Sequence, residues 1–205
     1  LAGCGTLLVL ALVYACSAPI ARISPKFTPT PGAERHAFKI DPRQPWNRTG
    51  FQLQAGTTYR FTAEARPDAF GAPYQDKTVH CTPDGPTGWS GWWMDKVGRD
   101  ATSAWNPVHY KSGMGAIQRL RVLKDSGDNR ASFLTVIGAI GQDDSEPNVF
   151  VIGSAREFTP RTSGELVVFC NDWPGGPGTE GEARFTNSET YRNNQGEITL
   201  TVERR

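Results

Sequence analysis

The side chains best suited to binding chemistry lie in the last third of this sequence, on two short polar segments. Residues 171–172, Asn-Asp, follow the apolar run 167–170, and residues 190–196, Thr-Tyr-Arg-Asn-Asn-Gln-Gly, precede an alternating segment at the C-terminus. Carboxylate, amide and carbonyl oxygens are the ligands of a hard cation such as Ca²⁺, which takes about six to eight of them. A calcium site is predicted if the two segments meet. Its ligands would be Asp172, Asn193, Asn194 and the backbone carbonyl of Thr190.

Signatures of catalysis are missing from the sequence. It contains no Gly-x-Ser-x-Gly nucleophile elbow, phosphate-binding loop or His-Glu-x-x-His zinc motif. His36, His80 and His109 lack the spacing of metal ligands, and we interpret them as ordinary loop residues. Neighbouring carboxylates at 125–128 and 143–144 are expected to be solvated turns, because an acid and a base need a pocket that separates their pKa values. We therefore expect a protein that is not an enzyme.

The composition indicates one β-rich domain with no affinity for nucleic acid. At 205 residues the chain is long enough for a single domain with appendages. Lys and Arg total 22 against 21 Asp and Glu, so no net field attracts nucleic acid or an acidic substrate. Gly and Pro are frequent, and long runs of helix-forming residues are missing, which favours short strands joined by turns.

Alternating apolar residues predict the strands of this domain. In residues 59–64 aromatic and small apolar residues alternate with polar ones, and in residues 198–203 three aliphatic residues do the same. We expect an all-β fold, an antiparallel β-sandwich of jelly-roll or lectin-like type with long loops. Further strands are predicted at 117–123, 133–140, 149–152 and 166–170.

The N-terminal part is predicted to be a membrane anchor followed by a linker. Residues 1–21 carry no charge, and about 20 apolar residues suffice to span a bilayer, so residues 1–23 are expected to form one transmembrane or signal-anchor helix. Cys4 and Cys16 each end a lipoprotein-like box and are candidate lipidation sites. Residues 24–45 are rich in proline, which favours an extended linker. Residues 46–205 would then form the sandwich domain, on the periplasmic or extracellular side of a bacterial membrane.

Residues 66–115 are predicted to be a long insertion without regular structure, rich in Gly, Pro, Trp and Asp. Its tryptophans are candidates for stacking on sugar rings or for contacting a protein partner. The simpler alternative is that these tryptophans form a small separate hydrophobic core beneath a long loop. The four tryptophans are Trp89, Trp92, Trp93 and Trp105.

Two cysteines of the predicted sandwich, Cys81 and Cys170, are candidates for a disulfide. Such a bond suits an oxidising compartment and would tie the insertion to the strand before Asp172. The alternative is two separate buried thiols, since free cysteine is among the most buried residue types.

At its two polar segments the sequence resembles the bacterial galactophilic lectins, which are small calcium-dependent galactose-binding β-sandwiches. In that family a strand ends in Tyr-Asn-Asp, and a Thr-Tyr-Gly-Asn-Asn-x-Gly loop leads into the final strand. Residues 170–172 and 190–196 here are similar, and Ala-Phe-Gly at 69–71 looks like a Ser-Tyr-Gly whose aromatic residue lends a carbonyl to the ion. The resemblance covers most of residues 46–202. It implies calcium ligands at Asp172, Asn193, Asn194 and the carbonyls of Thr190 and Phe70.

The sequence departs from the family pattern in two places. Twenty residues, 173–192, separate Asp172 from Asn193, where the family has only six. The family's His-Pro-x-Gln element, which helps to hold galactose, has no match in residues 66–115. The resemblance therefore implies calcium more strongly than galactose. The alternative is that residues 193–196 form a hairpin turn and bind no ion, since Asn and Gly are common turn residues.

Two functions compete on this evidence. The first is a membrane-anchored, non-catalytic lectin-like module with a calcium site and galactose-type carbohydrate binding. The second is an accessory subunit of a larger bacterial membrane complex, such as a photosynthetic or respiratory assembly, in which the sandwich is a scaffold and the tryptophans contact other protein subunits.

Overall fold

In a computed structural model of the chain, the structure describes residues 34–76, 79–87, 131–142, 148–172 and 189–205. These residues form twelve strands and one helical turn. The elements are β1 (Arg35–Ile40), β2 (Asn47–Leu53), β3 (Tyr59–Arg66), β4 (Gln75–Asp76), β5 (Val79–Thr82), β6 (Gly85–Pro86), β7 (Val136–Ile140), β8 (Val149–Val151), β9 (Ala155–Phe158), β10 (Gly164–Cys170), α1 (Glu189–Arg192), β11 (Asn194–Gln195) and β12 (Glu197–Arg204).

Two four-stranded antiparallel sheets pack face to face. The first has the strand order β1-β12-β3-β9 and the second the order β2-β10-β7-β8. Between them lies one core, to which the first sheet contributes Phe61 and Leu200 and the second contributes Val168 and Phe150. The rings of Phe61 and Phe150 are 5.2 Å apart across the interface. The prediction of an all-β fold with antiparallel sheets is confirmed over the described residues.

The two sheets differ in what covers their outer faces. On the first sheet the apolar residues of β12 point inward while the intervening threonines are half-exposed, as the alternation of the sequence predicts. On the second sheet β7, β8 and most of β10 are buried on both faces. Its outer face carries a second apolar cluster that includes Phe169, against which Trp46 packs with the rings 5.4 Å apart.

A third, small sheet has the order β11-β4-β5-β6, and its strands β4, β5 and β6 lie in the predicted insertion. The prediction that residues 66–115 have no regular structure is therefore wrong for β4, β5 and β6. The backbone N–H of Ser154 donates to the carboxylate of Asp84, at 2.8 Å, in the turn between β5 and β6. The small sheet matters for the candidate site because β11 carries Asn194.

The predicted linker also needs correction. Residues 24–45 were expected to form an extended tether, but β1 lies within them and pairs with β12 over six residues, from Arg35 opposite Glu203 to Ile40 opposite Ile198. Prolines flank β1 and do not interrupt it, so its amides remain free to pair. Strand β1 thus belongs to the sandwich. The predicted anchor, residues 1–23, lies outside the described residues, and no helix within the described ranges is long and apolar enough to cross a membrane.

Other strand predictions differ in their limits. The strand predicted at 133–140 begins at Val136, because residues 133–134 form a turn in which Leu134 has a φ of 53°. The predicted strand at 117–123 falls outside the described residues. Strands β2 and β9 were not predicted, since their apolar residues do not alternate over a sufficient length.

Candidate functional site

Asp172 follows the buried end of β10, in the second sheet. Strand β10 leads directly into Asn171 and Asp172, which are themselves buried. The backbone N–H of Asn171 donates to the Thr135 carbonyl at 2.9 Å, and its side-chain amide donates to the Ser132 carbonyl at 3.0 Å. Since both the backbone and the side chain of Asn171 are tied to the segment before β7, the carboxylate that follows is held in a fixed place.

Helix α1 and strand β11 bring the second polar segment to the same place. Tyr191 is fully buried, and its hydroxyl donates to the carbonyl of Cys170 at 2.9 Å, so α1 lies against the end of β10. Next in the chain, Asn194 pairs with Asp76 of β4, and the Gln75 side chain donates to the Gln195 side chain at 2.9 Å. The two polar segments therefore meet, although twenty residues separate them in the sequence.

Asn194 forms the direct link between the segments. Its side-chain amide nitrogen donates to Asp172 Oδ2 and to the carbonyl of Pro42, both at 3.1 Å. The residue is 1% exposed and Asp172 is 3% exposed. The buried carboxylate of Asp172 and the side chain of Asn194 are thus in direct contact at the end of β10, and Asn193 immediately precedes Asn194.

Two amide oxygens of the second polar segment have no hydrogen-bond donor among the described residues. Oδ1 of Asn193 and Oδ1 of Asn194 are buried, and neither has a partner within the described part of the chain. Leaving a buried acceptor unsatisfied costs about 1–3 kcal/mol, so a fold does not normally retain two of them in consecutive residues without a reason. A bound cation would satisfy both oxygens.

The ligand atoms gathered here are oxygens, which suit a hard cation. Among the described residues, no group of three or more His, Cys, Asp or Glu side chains is placed to hold a metal ion. The set depends instead on one carboxylate and two neutral amides, which suit Ca²⁺ and do not suit a metal that prefers nitrogen or sulfur. These residues therefore fit a calcium site in which few of the ligands are charged.

The other two predicted ligands lie on the flanking segments. Thr190 is in α1, three residues before Asn193. Phe70 lies in the turn after β3, where its backbone N–H and that of Ala72 donate to Oδ1 of Asp68 at 2.9 and 3.0 Å. These two hydrogen bonds lower the pKa of the Asp68 carboxyl below its ordinary value. The turn is therefore held rigid by a charged acceptor.

The turn after β3 also lies close to the segment that carries the asparagines. A Cβ added at Gly196 would stand only 2.5 Å from Cα of Tyr74, and Gly196 has a φ of 86°. Close backbone approach and a left-handed conformation both require glycine here. The Asn-Asn-Gln-Gly sequence thus ends in the one residue type that lets the two segments touch.

Cys81 and Cys170 are separate buried thiols in the structure, not the predicted disulfide. Both belong to the core between the sheets, together with Tyr74. The backbone N–H of Cys81 donates to the Tyr74 carbonyl at 3.0 Å, and the Cys81 thiol donates to the Val79 carbonyl at 3.3 Å. Burial raises the pKa of the Cys170 thiol to about 12 and that of Cys81 well above its usual range. The two cysteines therefore act as small apolar core residues.

Some residues singled out in the sequence fall outside the described residues. They include the candidate lipidation sites Cys4 and Cys16 and the tryptophans on which the accessory-subunit hypothesis depends, Trp89, Trp92, Trp93 and Trp105.

Sequence reasoning missed Asn47 and Pro42, which support the site from behind. The Asn47 side chain accepts from the Asp41 backbone N–H at 2.9 Å and donates to the Asp41 carbonyl at 3.0 Å, which fixes the turn that contains Pro42. The Pro42 carbonyl then accepts from Asn194. Asn47 lies 147 positions before Asn194 in the numbering, so no local pattern links the two residues.

Comparison with known proteins finds similarity to solved structures only. No protein-family model and no curated protein matches the sequence. Among solved structures, the chain is similar to one described as "EclA N-terminal domain; PllA-like lectin", with a TM-score of 0.43 and 14% sequence identity. The similarity covers 82% of this chain and 95% of the other. A TM-score this low assigns neither a fold family nor a ligand, and the candidate site rests on the contacts described above.

Proposed function

We propose that this chain is a non-catalytic, calcium-dependent carbohydrate-binding module. The observation that carries the proposal is the pair of buried amide oxygens, from Asn193 and Asn194, that have no donor among the described residues, together with the contact of Asn194 with the buried Asp172 carboxylate. The carbonyls of Thr190 and Phe70 are proposed as further ligands, on the resemblance of their segments to the galactophilic lectins. In this role the ion recognises a ligand and performs no reaction.

The charge of the ligand set predicts the strength of calcium binding. Calcium affinity rises with the number of carboxylate ligands, and sites with few of them, as in extracellular modules, have dissociation constants of roughly 0.1–1 mM. One carboxylate and two amides place this site in the weak class. Such a site fills only where calcium is abundant, which agrees with the proposed extracytoplasmic location of a domain anchored through residues 1–23.

Carbohydrate is proposed as the ligand because the protein alone does not fill the coordination sphere of the ion. Three side chains and two carbonyls provide five oxygens, fewer than the six to eight that calcium takes. Neighbouring sugar hydroxyls can supply the missing oxygens and so be recognised by the ion. Because the sequence has no counterpart of the His-Pro-x-Gln element, we expect galactose itself to bind weakly. A site that lacks hydrogen-bonding groups discriminates poorly between sugars.

Calcium-dependent stability tests the ion site. An ion that binds the folded state with a dissociation constant of roughly 0.1–1 mM should stabilise it by about 1.4–2.7 kcal/mol at about 10 mM calcium. We expect this gain in urea unfolding of the native protein and its loss in Asp172→Asn, which keeps the shape of the side chain. Glu64→Gln, an exposed carboxylate on β3, is the matched control and should keep the full gain. An equal gain in both variants would contradict the site.

Glycan binding tests the second half of the proposal. The full chain is applied to a glycan array in calcium and again in chelator. Binding that requires calcium and is absent in Asp172→Asn supports a lectin. If calcium stabilises the protein but no glycan on the array binds, the carbohydrate role is wrong and the ion is structural.

A further inference from the structure

A cleft of about 200 Å³ opens next to the candidate ion site. The end of β1 and the turn after it form one wall, the turn after β3 forms another, and the start of β12 closes the base. The residues that matter in it are Lys39, Asp41, Arg43, Asp68, Phe70 and Glu197. Nothing in the proposed coordination of calcium uses the side chains of this cleft.

The ring of Phe70 stands at this cleft and is almost fully exposed. It is 93% accessible and is the only large apolar side chain that is exposed among the described residues. Since the Phe70 and Ala72 amides are both held by Asp68, the backbone beneath the ring is fixed. An aromatic ring on a rigid turn beside a polar cleft presents one flat apolar face to a ligand, at little entropic cost.

The charged groups of the cleft form pairs with one another and still have hydrogen-bonding atoms that a ligand can use. Nε of Arg43 donates to Asp41 Oδ1 at 2.8 Å, and both terminal nitrogens of this guanidinium have no acceptor among the described residues. Lys39 Nζ is 3.2 Å from Glu197 Oε2 and its side chain is 81% exposed. The cleft therefore offers both donors and acceptors to a ligand.

The net charge of the cleft selects between ligand classes. Two cations, Lys39 and Arg43, face three carboxylates, those of Asp41, Asp68 and Glu197, which leaves a net charge of −1. An acidic sugar or a phosphate would meet more negative than positive charge. A neutral polyol suits the cleft better, because each of its hydroxyls both donates and accepts, and pairs of opposite charge satisfy both roles.

We infer that this cleft is a binding subsite for one neutral pyranose ring, which stacks on Phe70 while its hydroxyls bind Arg43 and the neighbouring carboxylates. The inference rests on the proposed carbohydrate-binding function and extends it. The subsite adjoins the ion site, because Pro42, which accepts from Asn194, lies between Asp41 and Arg43. A disaccharide or longer neutral glycan would therefore occupy both, one ring at the ion and the next in the cleft.

Saturation-transfer NMR on the full chain tests the subsite without the ion. The probes are the methyl pyranosides of galactose, glucose and mannose, with glucuronate as the acidic comparison, all in chelator. We expect saturation of the ring protons of at least one neutral pyranoside, and none for glucuronate. The same signal should persist in Asp172→Asn, because the subsite does not need calcium.

Substitutions in the cleft test whether the pyranoside binds there. Phe70→Ala, which keeps the backbone carbonyl, and Arg43→Gln should each weaken binding of the pyranoside about tenfold, as truncation of a central contact does. Arg161→Gln, an exposed arginine away from the cleft, is the matched control and should bind like the native protein. No saturation from any neutral pyranoside, unchanged binding in both cleft variants, or a preference for glucuronate would overturn the inference. Calcium-induced stabilisation, measured on the same samples, separates that failure from a failure of the ion site.

Discussion

At the scale of single residues, the site depends on a glycine that lets two segments touch. Gly196→Ala is expected to destabilise the fold by about 2–4 kcal/mol, because its new Cβ would overlap the backbone of Tyr74 and its positive φ would be strained. Gly56→Ala is the matched control, since Gly56 also has a positive φ, of 78°, but has no atom within 4 Å of an added Cβ. Urea unfolding of the two variants measures the difference. Equal losses would show that the contact with Tyr74 does not matter.

The buried thiols give a second prediction at this scale. Alkylating reagents attack the thiolate, and burial keeps the Cys81 thiol protonated at neutral pH by raising its pKa. Iodoacetamide should therefore label Cys81 slowly in the native protein and rapidly after unfolding without reductant. Peptide mass spectrometry identifies the labelled cysteine. Fast native labelling would show that the thiol is accessible, and failure to label after unfolding would show that Cys81 is in a disulfide after all.

At the scale of elements, the finding that most changes the sequence-based picture is that β1 belongs to the sandwich. Ile40, at the end of β1, is 1% exposed and lies in the main core. Ile40→Ala should cost about 2–5 kcal/mol of unfolding free energy, as truncation of a buried aliphatic residue does. Ala37→Ser, on the exposed face of the same strand, should change little. If both variants behave alike in urea, residues 35–40 are a linker and not a strand.

The pairing of β2 with β10 contains an irregularity that a charged side chain stabilises. The register shifts between Glu165 and Val167, and the Glu165 carboxylate accepts from the backbone N–H of Gly50 at 3.0 Å and from Arg48 at 2.6 Å. Hydrogen bonding to Arg48 is the main cause of the lowered pKa of Glu165. A bulge normally leaves one residue unpaired, and here the carboxylate takes the place of the missing ladder contact.

This pairing predicts a pH dependence. Because the folded-state pKa of Glu165 is depressed, its contribution to stability is present above the unfolded pKa of about 4.3 and is lost as the pH falls through the folded pKa. Arg48→Gln should therefore lower stability slightly at neutral pH and have no effect at about pH 2.5. Arg66→Gln, which removes a more exposed pair with Glu64, is the control and should show a smaller change. A loss that is the same at both pH values would contradict the role of the ion pair.

At the scale of the whole molecule, the strands that could be predicted are those whose pattern of apolar residues is visible within the strand itself. Strand β12 was predicted because its apolar residues alternate with polar ones, and strand β10 because its apolar run is continuous. Strand β1 was missed because the surrounding prolines dominate the composition of its segment. The short strands of the third sheet were missed because two-residue strands leave no periodicity.

The candidate site was predictable in its residue types but not in its geometry. Asp172, Asn193 and Asn194 stand out as oxygen donors next to strands, and that signal is local. Their meeting depends on the burial of Tyr191 beneath β10 and on the Pro42 carbonyl, both of which are contacts between distant parts of the chain. No spacing rule encodes such contacts, so the sequence could state only the condition that the two segments must meet.

The anomalous scattering of calcium shows where the ion binds, in crystals of the full chain grown at about 10 mM calcium, a concentration that would fill a site of the expected affinity. We predict one peak that lies about 2.3–2.6 Å from Oδ1 of Asn193, Oδ1 of Asn194 and the Asp172 carboxylate, the distances of calcium–oxygen bonds. A map with no peak at these three residues, or with calcium bound only elsewhere on the chain, would contradict the account.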